Sequence, residues 1–272
     1  MLPVSSFAAA INYGDFMGTS VNYLMVQEDA TTMGDAPPLF GKPTINEFPY
    51  PALPCTTAAC TLPGNTLDFN PVGFAASAAG TGASGVDVTD GNLAFMVVAK
   101  PGQAIKNIKI VEQGDTTLTG IVPLNSMATA TFAKMPVFID IVQVDGVGIT
   151  PINLSAISTP SIISTFSPSG GDFFLGVDGA GGPIFSTTWN GQLFVDLEAV
   201  LTMKGIQFER GVTKINVDLD NTLTALSEEG TEAVIAKKNF FTVTVNVPEP
   251  ASIGLAALAM VLGLCLARRS RA

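Results

Sequence analysis

Two groups of oxygen-bearing side chains in this sequence have the spacing of ligands for a hard metal cation. They are Asp87, Asp90 and Asn92, and Asp218, Asp220 and Asn221. Calcium binds clustered carboxylate and carbonyl oxygens, so it is the cation that such groups favour. Neither group has the central glycine and the distal glutamate of an EF-hand loop in register. An Asp-Gly turn explains the first group equally well. For the second group the alternative is alternation along a strand, with Ile215, Val217 and Leu219 facing inward and Asp218 and Asp220 on the solvent face.

The sequence contains no histidine, which removes several common catalytic devices. Ser-His-Asp and Cys-His arrangements and histidine-ligated zinc sites are therefore excluded. Paired carboxylates remain, as in glycosidases, where two acids act at a set separation. The sequence singles out no such pair, and Glu198 and Glu209 are predicted on outward faces of strands. We therefore expect a protein that is not an enzyme, with no catalytic residues, no cofactor and no assigned metal site.

Two of the three cysteines lie close together in a proline-rich segment. Residues 36–63 are predicted to form an extended loop, because proline disrupts both helices and central strands. Within it, Cys55 and Cys60 would close a small loop as a disulfide in an oxidising compartment. A metal site is the weaker alternative, since no histidine is present and Cys265 lies far away near the C-terminus.

The C-terminal part of the chain combines three features in a fixed order: a Pro-Glu-Pro motif, an uncharged apolar segment and a basic cluster. These are Pro248, Glu249 and Pro250, then residues 253–267, then Arg268, Arg269 and Arg271. The uncharged stretch 251–267 would form about 25 Å of helix, at the short end of what spans a bilayer. The arginines are expected to stay on the cytoplasmic side. The alternative, a buried helix of a soluble domain, would show a polar face that this segment lacks.

This three-part tail resembles the PEP-CTERM sorting signal of exported bacterial proteins. The resemblance covers about the last 26 residues and implies recognition by an exosortase, which cuts near the Pro-Glu-Pro motif. It also implies a precursor anchored in the inner membrane, and then a cell-surface or extracellular protein. Such proteins are associated with bacteria that make exopolysaccharide and biofilm, so an extracellular polysaccharide is an expected partner. The resemblance gives no activity for the rest of the chain.

The N-terminal residues fit this export hypothesis only in part. Residues 1–10 lack a basic region and a full apolar region, but they end in small residues as a signal-peptide cleavage zone does. We interpret them as the remnant of a signal peptide whose true start lies upstream. A mature N-terminus that begins with a loop is the alternative.

Composition favours an acidic exported protein. Only 13% of the residues are charged, and the net charge is −10, with the acidic residues scattered singly. A negative chain is a poor partner for nucleic acid, whose phosphates require a basic surface. The length of 272 residues allows one large domain or two small ones with a real core.

Short β-prone segments separated by turn residues predict an all-β fold. About a dozen strands are expected over residues 11–247, as an antiparallel β-sandwich or jelly-roll-like domain. A single C-terminal transmembrane helix within residues 248–272 would follow, and a division near residues 149–171 is the alternative to one domain. A strand is predicted over residues 136–144, and tight turns are predicted at residues 87–92, Asp145-Gly146 and Asn190-Gly191. Residues 192–203 are predicted as a return strand and 228–238 as turn-like.

Two functions remain open for the predicted β domain. The first is a non-catalytic surface or matrix protein. The second is a carbohydrate-binding module or hydrolase that acts on extracellular polysaccharide. Flat aromatic rings on the surface would favour the second, because sugars stack on them, and Trp189 is the single tryptophan. The small number of tryptophan and tyrosine residues favours the first.

Overall fold

The computed structural model describes residues 10–30, 35, 37–46, 64–120, 128–155, 162–179 and 182–247, with backbone only at 162–164 and 238–240. Several predicted features lie outside these residues. They are most of the predicted signal-peptide remnant, the predicted disulfide between Cys55 and Cys60, the sorting motif Pro248, Glu249 and Pro250, and the basic cluster Arg268, Arg269 and Arg271.

The described residues are mainly β-strand, with two short α-helices. The strands are numbered in chain order: β1 Ile11–Met17, β2 Val21–Ala30, β3 Thr44–Asn46, β4 Thr66–Phe69, β5 Ala75–Ala79, β6 Gly85–Ala99, β7 Asn107–Gly120, β8 Ala130–Lys134, β9 Val137–Val144, β10 Val147–Ser155, β11 Ile162–Ser167, β12 Asp172–Phe174, β13 Ile184–Asp196, β14 Val212–Ser227 and β15 Thr231–Asn246. The helices are α1 Leu175–Asp178 and α2 Leu197–Met203.

The strands form two antiparallel sheets, which confirms the prediction of an all-β fold. In the first sheet β1, β2, β6 and β14 are neighbours in that order. The other edge of β14 is shared, because its first half pairs with β9 and its second half with β8. Strand β10 extends the sheet beyond β9, and β12 extends it beyond β8.

The second sheet is arranged in a similar way around β15. Strands β11, β13, β7 and β15 are neighbours in that order. The other edge of β15 pairs with β5 along its first half and with β4 along its second half, and β3 follows β4. Strand β15 is therefore a central strand of this sheet.

Period-two alternation explains how the sheets share one core. Along β14 the odd-numbered positions are buried, which confirms the inward orientation predicted for Ile215, Val217 and Leu219. The even-numbered positions of β7, such as Ile108 and Ile110, are buried in the second sheet. Buried side chains of both sheets belong to a single hydrophobic cluster, so the core lies between them.

Three turn predictions have different outcomes. Asp145-Gly146 joins β9 to β10, with positive φ angles of 54° and 83°, so that prediction is confirmed. Asn190-Gly191 lies inside β13, and residues 87–92 lie inside β6, so these two predictions are wrong. Residues 231–238, predicted as turn-like, are part of β15.

The return strand predicted over residues 192–203 ends early, because a helix begins at Leu197. The side chain of Asp196 caps this helix by accepting a hydrogen bond from the backbone N–H of Ala199 at 3.0 Å. Leu197, Val200 and Leu201 have helical spacing and are fully buried. Glu198 therefore lies on a helix and Glu209 in the connection to β14, so their predicted place on strands is wrong.

Within the described ranges, no helix is both long enough and apolar enough to cross a bilayer. The predicted membrane segment, residues 253–267, lies outside those ranges.

Candidate functional site

Three strands each place a polar side chain in the apolar core. Glu112 occupies an inward position of β7, Asn221 an inward position of β14, and Lys237 an inward position of β15. Glu112 and Asn221 are 0% exposed, and Lys237 is 4% exposed with its side chain at 0%. We call Glu112, Asn221 and Lys237 the buried triad.

The triad is organised around one carboxylate oxygen. Lys237 Nζ lies 2.7 Å from Glu112 Oε2. The amide Nδ2 of Asn221 donates a hydrogen bond to the same oxygen at 2.5 Å. Glu112 and Lys237 belong to the second sheet and Asn221 to the first, so the triad bridges the two sheets through the core.

Phenylalanine rings surround the lysine amine. Nζ lies 4.1 Å from the ring centroid of Phe74, 5.1 Å from that of Phe40 and 5.4 Å from that of Phe241. Phe40 also packs edge-on against both other rings, at centroid distances of 5.1 and 5.0 Å. These rings replace water around the amine, and their faces attract it while it is charged.

Another buried carboxylate holds one of these rings in place. Glu28 on β2 accepts hydrogen bonds from the backbone N–H groups of Leu39 and Phe40, the second at 3.1 Å. Its other oxygen accepts a hydrogen bond from the Tyr13 hydroxyl at 2.6 Å. These hydrogen bonds fix the segment that carries Phe40 against the first sheet, so the Phe40 ring stays beside the Lys237 amine.

A glycine lies directly opposite each triad residue on the neighbouring strand. Gly191 of β13 pairs with Glu112, Gly91 of β6 with Asn221, and Gly114 of β7 with Lys237. A Cβ on Gly191 would lie 2.9 Å from Glu112 Oε1, and a Cβ on Gly91 would lie 2.9 Å from the Phe74 ring. Gly191 and Gly91 therefore leave space for the triad and its rings, whereas a Cβ on Gly114 would lie 2.5 Å from the Trp189 ring.

Two oxygens of the triad lack hydrogen-bond partners among the described residues. They are Glu112 Oε1 and Asn221 Oδ1, and both are fully shielded from solvent. Lys237 Nζ also makes no hydrogen bond with a described residue beyond its ion pair with Glu112. Nearly all buried polar atoms in folded proteins have a partner, so three such atoms in one cluster require an explanation.

The surroundings of Lys237 have opposing effects on its pKa. Burial lowers the pKa of Lys237, and the neighbouring Glu112 carboxylate partly offsets that shift. Burial is the larger effect, so the Lys237 amine loses its proton more readily than the amine of a surface lysine does. The arrangement brings a poorly solvated amine, a carboxyl group and a carboxamide into contact, which are the components of an acyl transfer.

Four of the candidate calcium ligands come together on the outer face of the first sheet: Asp90, Asn92, Asp218 and Asp220. Asp87 is at an odd-numbered position of β6, the phase that is buried from Thr89 onward, and it accepts a hydrogen bond from the Ser77 N–H at 2.7 Å. Strands β6 and β14 are paired, which places Asp220 opposite Asn92 and Thr222 opposite Asp90. Asn92 Nδ2 donates a hydrogen bond to Asp218 Oδ1 at 2.6 Å. Asn221 points into the core, so it is not part of this surface.

The pKa of one of these carboxyl groups, that of Asp220, is shifted by its surroundings. Partial burial, with the neighbouring Asp90 and Asp218, raises the pKa of Asp220 to about 6. No group of three or more acidic or cysteine side chains within the described ranges is arranged to hold a metal ion. The alternation proposed as the alternative for the second group is what the structure shows for Asp218 and Asp220.

The same face carries a groove of about 390 Å³ beside these acidic residues. Its lining includes Met25, Gln27, Phe138, Asp140, Asn216 and Asp218. The Phe138 side chain is 52% exposed, and Asp140 accepts a hydrogen bond from Asn153 at 2.5 Å. Trp189, the ring that the sequence offered for sugar stacking, is only 1% exposed and lies in the core.

The two glutamates that the sequence predicts on outward faces, Glu198 and Glu209, have separate contacts. Glu198 forms an ion pair with Lys106 at 3.6 Å on the surface. The backbone N–H of Glu209 donates a hydrogen bond to Asp145 Oδ2 at 2.8 Å, and this fixes the loop before β14. Neither contact indicates catalysis.

The buried triad was not predicted from the sequence, although β14 carries a signal for it. On β14 the inward phase recognised at Ile215, Val217 and Leu219 continues to position 221. An amide at an inward position of an apolar strand indicates a polar partner in the core, because burying it without one is costly. Instead, Asn221 was grouped with its neighbours Asp218 and Asp220, which face the opposite side.

The fold and this site define an all-β protein of two antiparallel sheets with a charged cluster in its core. Residues 246–271 match the family model described as "PEP-CTERM protein-sorting motif", so the chain is a protein with a PEP-CTERM sorting motif, as its sequence predicted. A search among curated proteins finds no match for the chain.

Comparisons with solved structures give only remote similarity. The enzymatically active domain of bacteriophage CBA120 tailspike protein 4 is 9% identical, with a TM-score of 0.17, over 61% of this chain and 15% of that one. A beta-1,2-glucanase from Parabacteroides distasonis is 12% identical, with a TM-score of 0.20, over 87% of this chain and 24% of that one. This chain therefore spans only a small part of either protein, and similarity at this level supports no conclusion about activity.

Proposed function

We propose that this protein is an exported, non-catalytic component of the bacterial cell surface or extracellular matrix, delivered by exosortase processing of its C-terminal tail. The observation that carries the proposal is the match of residues 246–271 to the PEP-CTERM sorting motif. Residues 253–267 form the membrane helix of the precursor, and the arginines that follow hold its end in the cytoplasm. The β domain is the part of the protein that is exported, and after export it is surrounded by exopolysaccharide or biofilm.

The start of the motif supports cleavage close to the folded domain. The matched region begins at Asn246, the last residue of β15, whose side chain donates a hydrogen bond to Asn107 at 2.7 Å. Val247 is 7% exposed and belongs to the core. The Pro-Glu-Pro motif therefore follows the globule without a spacer.

Mass spectrometry of the protein from cells with and without active exosortase tests this proposal. We expect the mature form to end near Pro248 in the first case and to keep the tail in the second. A variant with Pro248, Glu249 and Pro250 replaced by alanine should keep the tail in both strains. Pro101→Ala, in an exposed turn, is the matched control and should be processed normally. Equal tail loss in both strains would refute exosortase processing.

A second candidate function is contact with a saccharide at the groove on the first sheet. An exposed Phe138 ring beside Asp140 and Asn216 offers a stacking surface next to hydrogen-bonding groups, which is the usual composition of a sugar site. Retention of the mature protein on purified exopolysaccharide tests it, with Phe138→Ala as the variant. Val72→Ala is the matched control, because Val72 is 83% exposed and lies outside the groove. Equal retention of both variants would exclude the groove as the contact.

A further inference from the structure

We propose that Lys237 and Asn221 form an intramolecular amide bond between their side chains, with Glu112 as the proton carrier. The two nitrogens both contact Glu112 Oε2, at 2.7 and 2.5 Å. They therefore lie within about 5 Å of each other, each at hydrogen-bond distance from the group that must move protons between them. Reactive groups held in this way behave as if at very high concentration.

The lysine has the properties of a nucleophile. Only the neutral amine can attack a carbonyl carbon, and the surrounding rings of Phe40, Phe74 and Phe241 remove the water that stabilises the charged form. Glu112 lies where it can accept the proton that the ammonium loses. Its Oε1 has no hydrogen-bond partner among the described residues, so the carboxyl has an unoccupied position for a proton.

The carboxamide of Asn221 has the properties of the electrophile. Its Nδ2, which is the leaving group, already donates a hydrogen bond to Glu112 Oε2, so the same carboxyl can protonate it as it leaves. Its Oδ1 makes no hydrogen bond with any described residue. The geometry therefore assigns a distinct role to each member of the triad.

The reaction balances without an oxidant or a co-reactant. A bond forms between Lys237 Nζ and Asn221 Cγ, and the bond between Cγ and Nδ2 breaks. The ammonium nitrogen loses two protons in total; one leaves with Nδ2 as ammonia, and the other remains on the Glu112 carboxyl. The product is a secondary amide beside a neutral acid, so two buried charges disappear and ammonia is the only molecule released.

The bond would tie the two sheets together through the core. Asn221 lies in β14 of the first sheet and Lys237 in β15 of the second. The chain between them would become a closed loop. This property suits a protein that works outside the cell, but the proposal does not depend on export or on tail processing.

Peptide mapping of the folded full-length chain tests the bond directly. Trypsin cuts after Lys214, and a glutamate-specific protease cuts after Glu228, Glu229 and Glu232, which lie between the two residues. Together they separate Asn221 from Lys237 unless the side chains are joined. We expect a branched peptide that contains both residues and is lighter than its two parts by one ammonia molecule. Folded protein that yields the two residues only in separate, unmodified peptides would overturn the proposal.

Variants separate the roles in the triad. Lys237→Met and Glu112→Gln should each abolish the branched peptide and restore the missing ammonia mass. Lys204→Met, at an exposed position, is the matched control and should leave the bond intact. If Lys237→Met fails to fold, the double variant Glu112→Gln/Lys237→Met removes both buried charges and serves in its place. A branched peptide that persists in folded Glu112→Gln would remove Glu112 from the mechanism.

Discussion

Asn221 and Lys237 approach the same oxygen of Glu112 from opposite sheets, at 2.5 and 2.7 Å. Each is fixed by the alternation of its own strand, β14 or β15, so neither residue can leave the core without disturbing an inward row of apolar side chains. A polar contact at this place joins the two halves of the fold where hydrophobic packing alone would be expected.

The first prediction concerns the stability of the crosslinked core. The double variant Glu112→Gln/Lys237→Met cannot form the bond and carries neither buried charge. We expect its free energy of unfolding to fall by about 3 kcal/mol, the usual effect of opening a covalent loop of roughly 15 residues. Chemical denaturation monitored by circular dichroism measures this difference. An unchanged midpoint would indicate that no covalent loop exists in the parent protein.

Lys237→Met alone should be less stable than that double variant. It leaves the Glu112 carboxylate buried without a cation, and an uncompensated buried charge costs about 3–5 kcal/mol, a cost that the double variant avoids. Comparing the two variants in the same denaturation experiment isolates this cost. Equal stability of the single and double variants would show that Glu112 is already neutral when Lys237 is absent.

Gly191→Ala should disturb the triad from the neighbouring strand. The added Cβ would lie 2.7 Å from the Phe166 ring and 2.9 Å from Glu112 Oε1, and such overpacking costs about 1–3 kcal/mol. Displacement of Glu112 should also slow formation of the branched peptide. Gly148→Ala in β10 is the matched control, because nothing lies within 4 Å of its Cβ position. Thermal unfolding and peptide mapping of both variants provide the measurement.

The acidic outer face should make stability depend on pH. The pKa of Asp220 is about 6 in the folded state, above its ordinary value of 3.8, so the folded state binds this proton more tightly than the unfolded state does. The resulting stabilisation is fully present below pH 3.8 and is lost as pH rises through about 6. Asp220→Asn should therefore reduce the fall in the unfolding temperature between pH 4 and pH 7. A fall of the same size in this variant would assign the effect to other groups.

The N-terminus of α2 offers a local test. Asp196→Ala removes the side chain that accepts a hydrogen bond from the Ala199 N–H, which should cost about 1 kcal/mol. Asp196→Asn keeps an acceptor and should behave nearly like the parent. Denaturation midpoints of the two variants check this. Equal losses in both would show that the charge of Asp196, rather than its hydrogen bond, stabilises the helix.

The general architecture was within reach of the sequence, because alternation of buried and exposed residues has a period of two in any strand. The strand predicted over residues 136–144 is β9, which spans Val137–Val144, and the Asp-Gly turn signal placed the turn at Asp145-Gly146 correctly. The inward phase of β14 was also correct as far as Leu219. These features depend on local sequence alone.

The polar core was not predicted because its glycines fit two local structures, a tight turn and a position inside a strand. Asp90-Gly91 and Asn190-Gly191 look like turns when only neighbours in sequence are considered. In the fold Gly91 lies opposite Asn221 and Gly191 lies opposite Glu112, so each glycine provides space for a side chain distant in sequence. Which residue needs that space is decided by strand pairing, and a single sequence does not reveal the pairing.

Strand β15 ends where the sorting motif begins, and it lies inside the second sheet, with β7 on one side and β4 and β5 on the other. A tether attached beyond Val247 would therefore transmit its pull along a strand hydrogen-bonded on both edges. Many hydrogen bonds would have to shear together before that strand moved, whereas an edge strand can unzip one bond at a time. The domain would thus resist a pull applied at its C-terminal end through many hydrogen bonds at once.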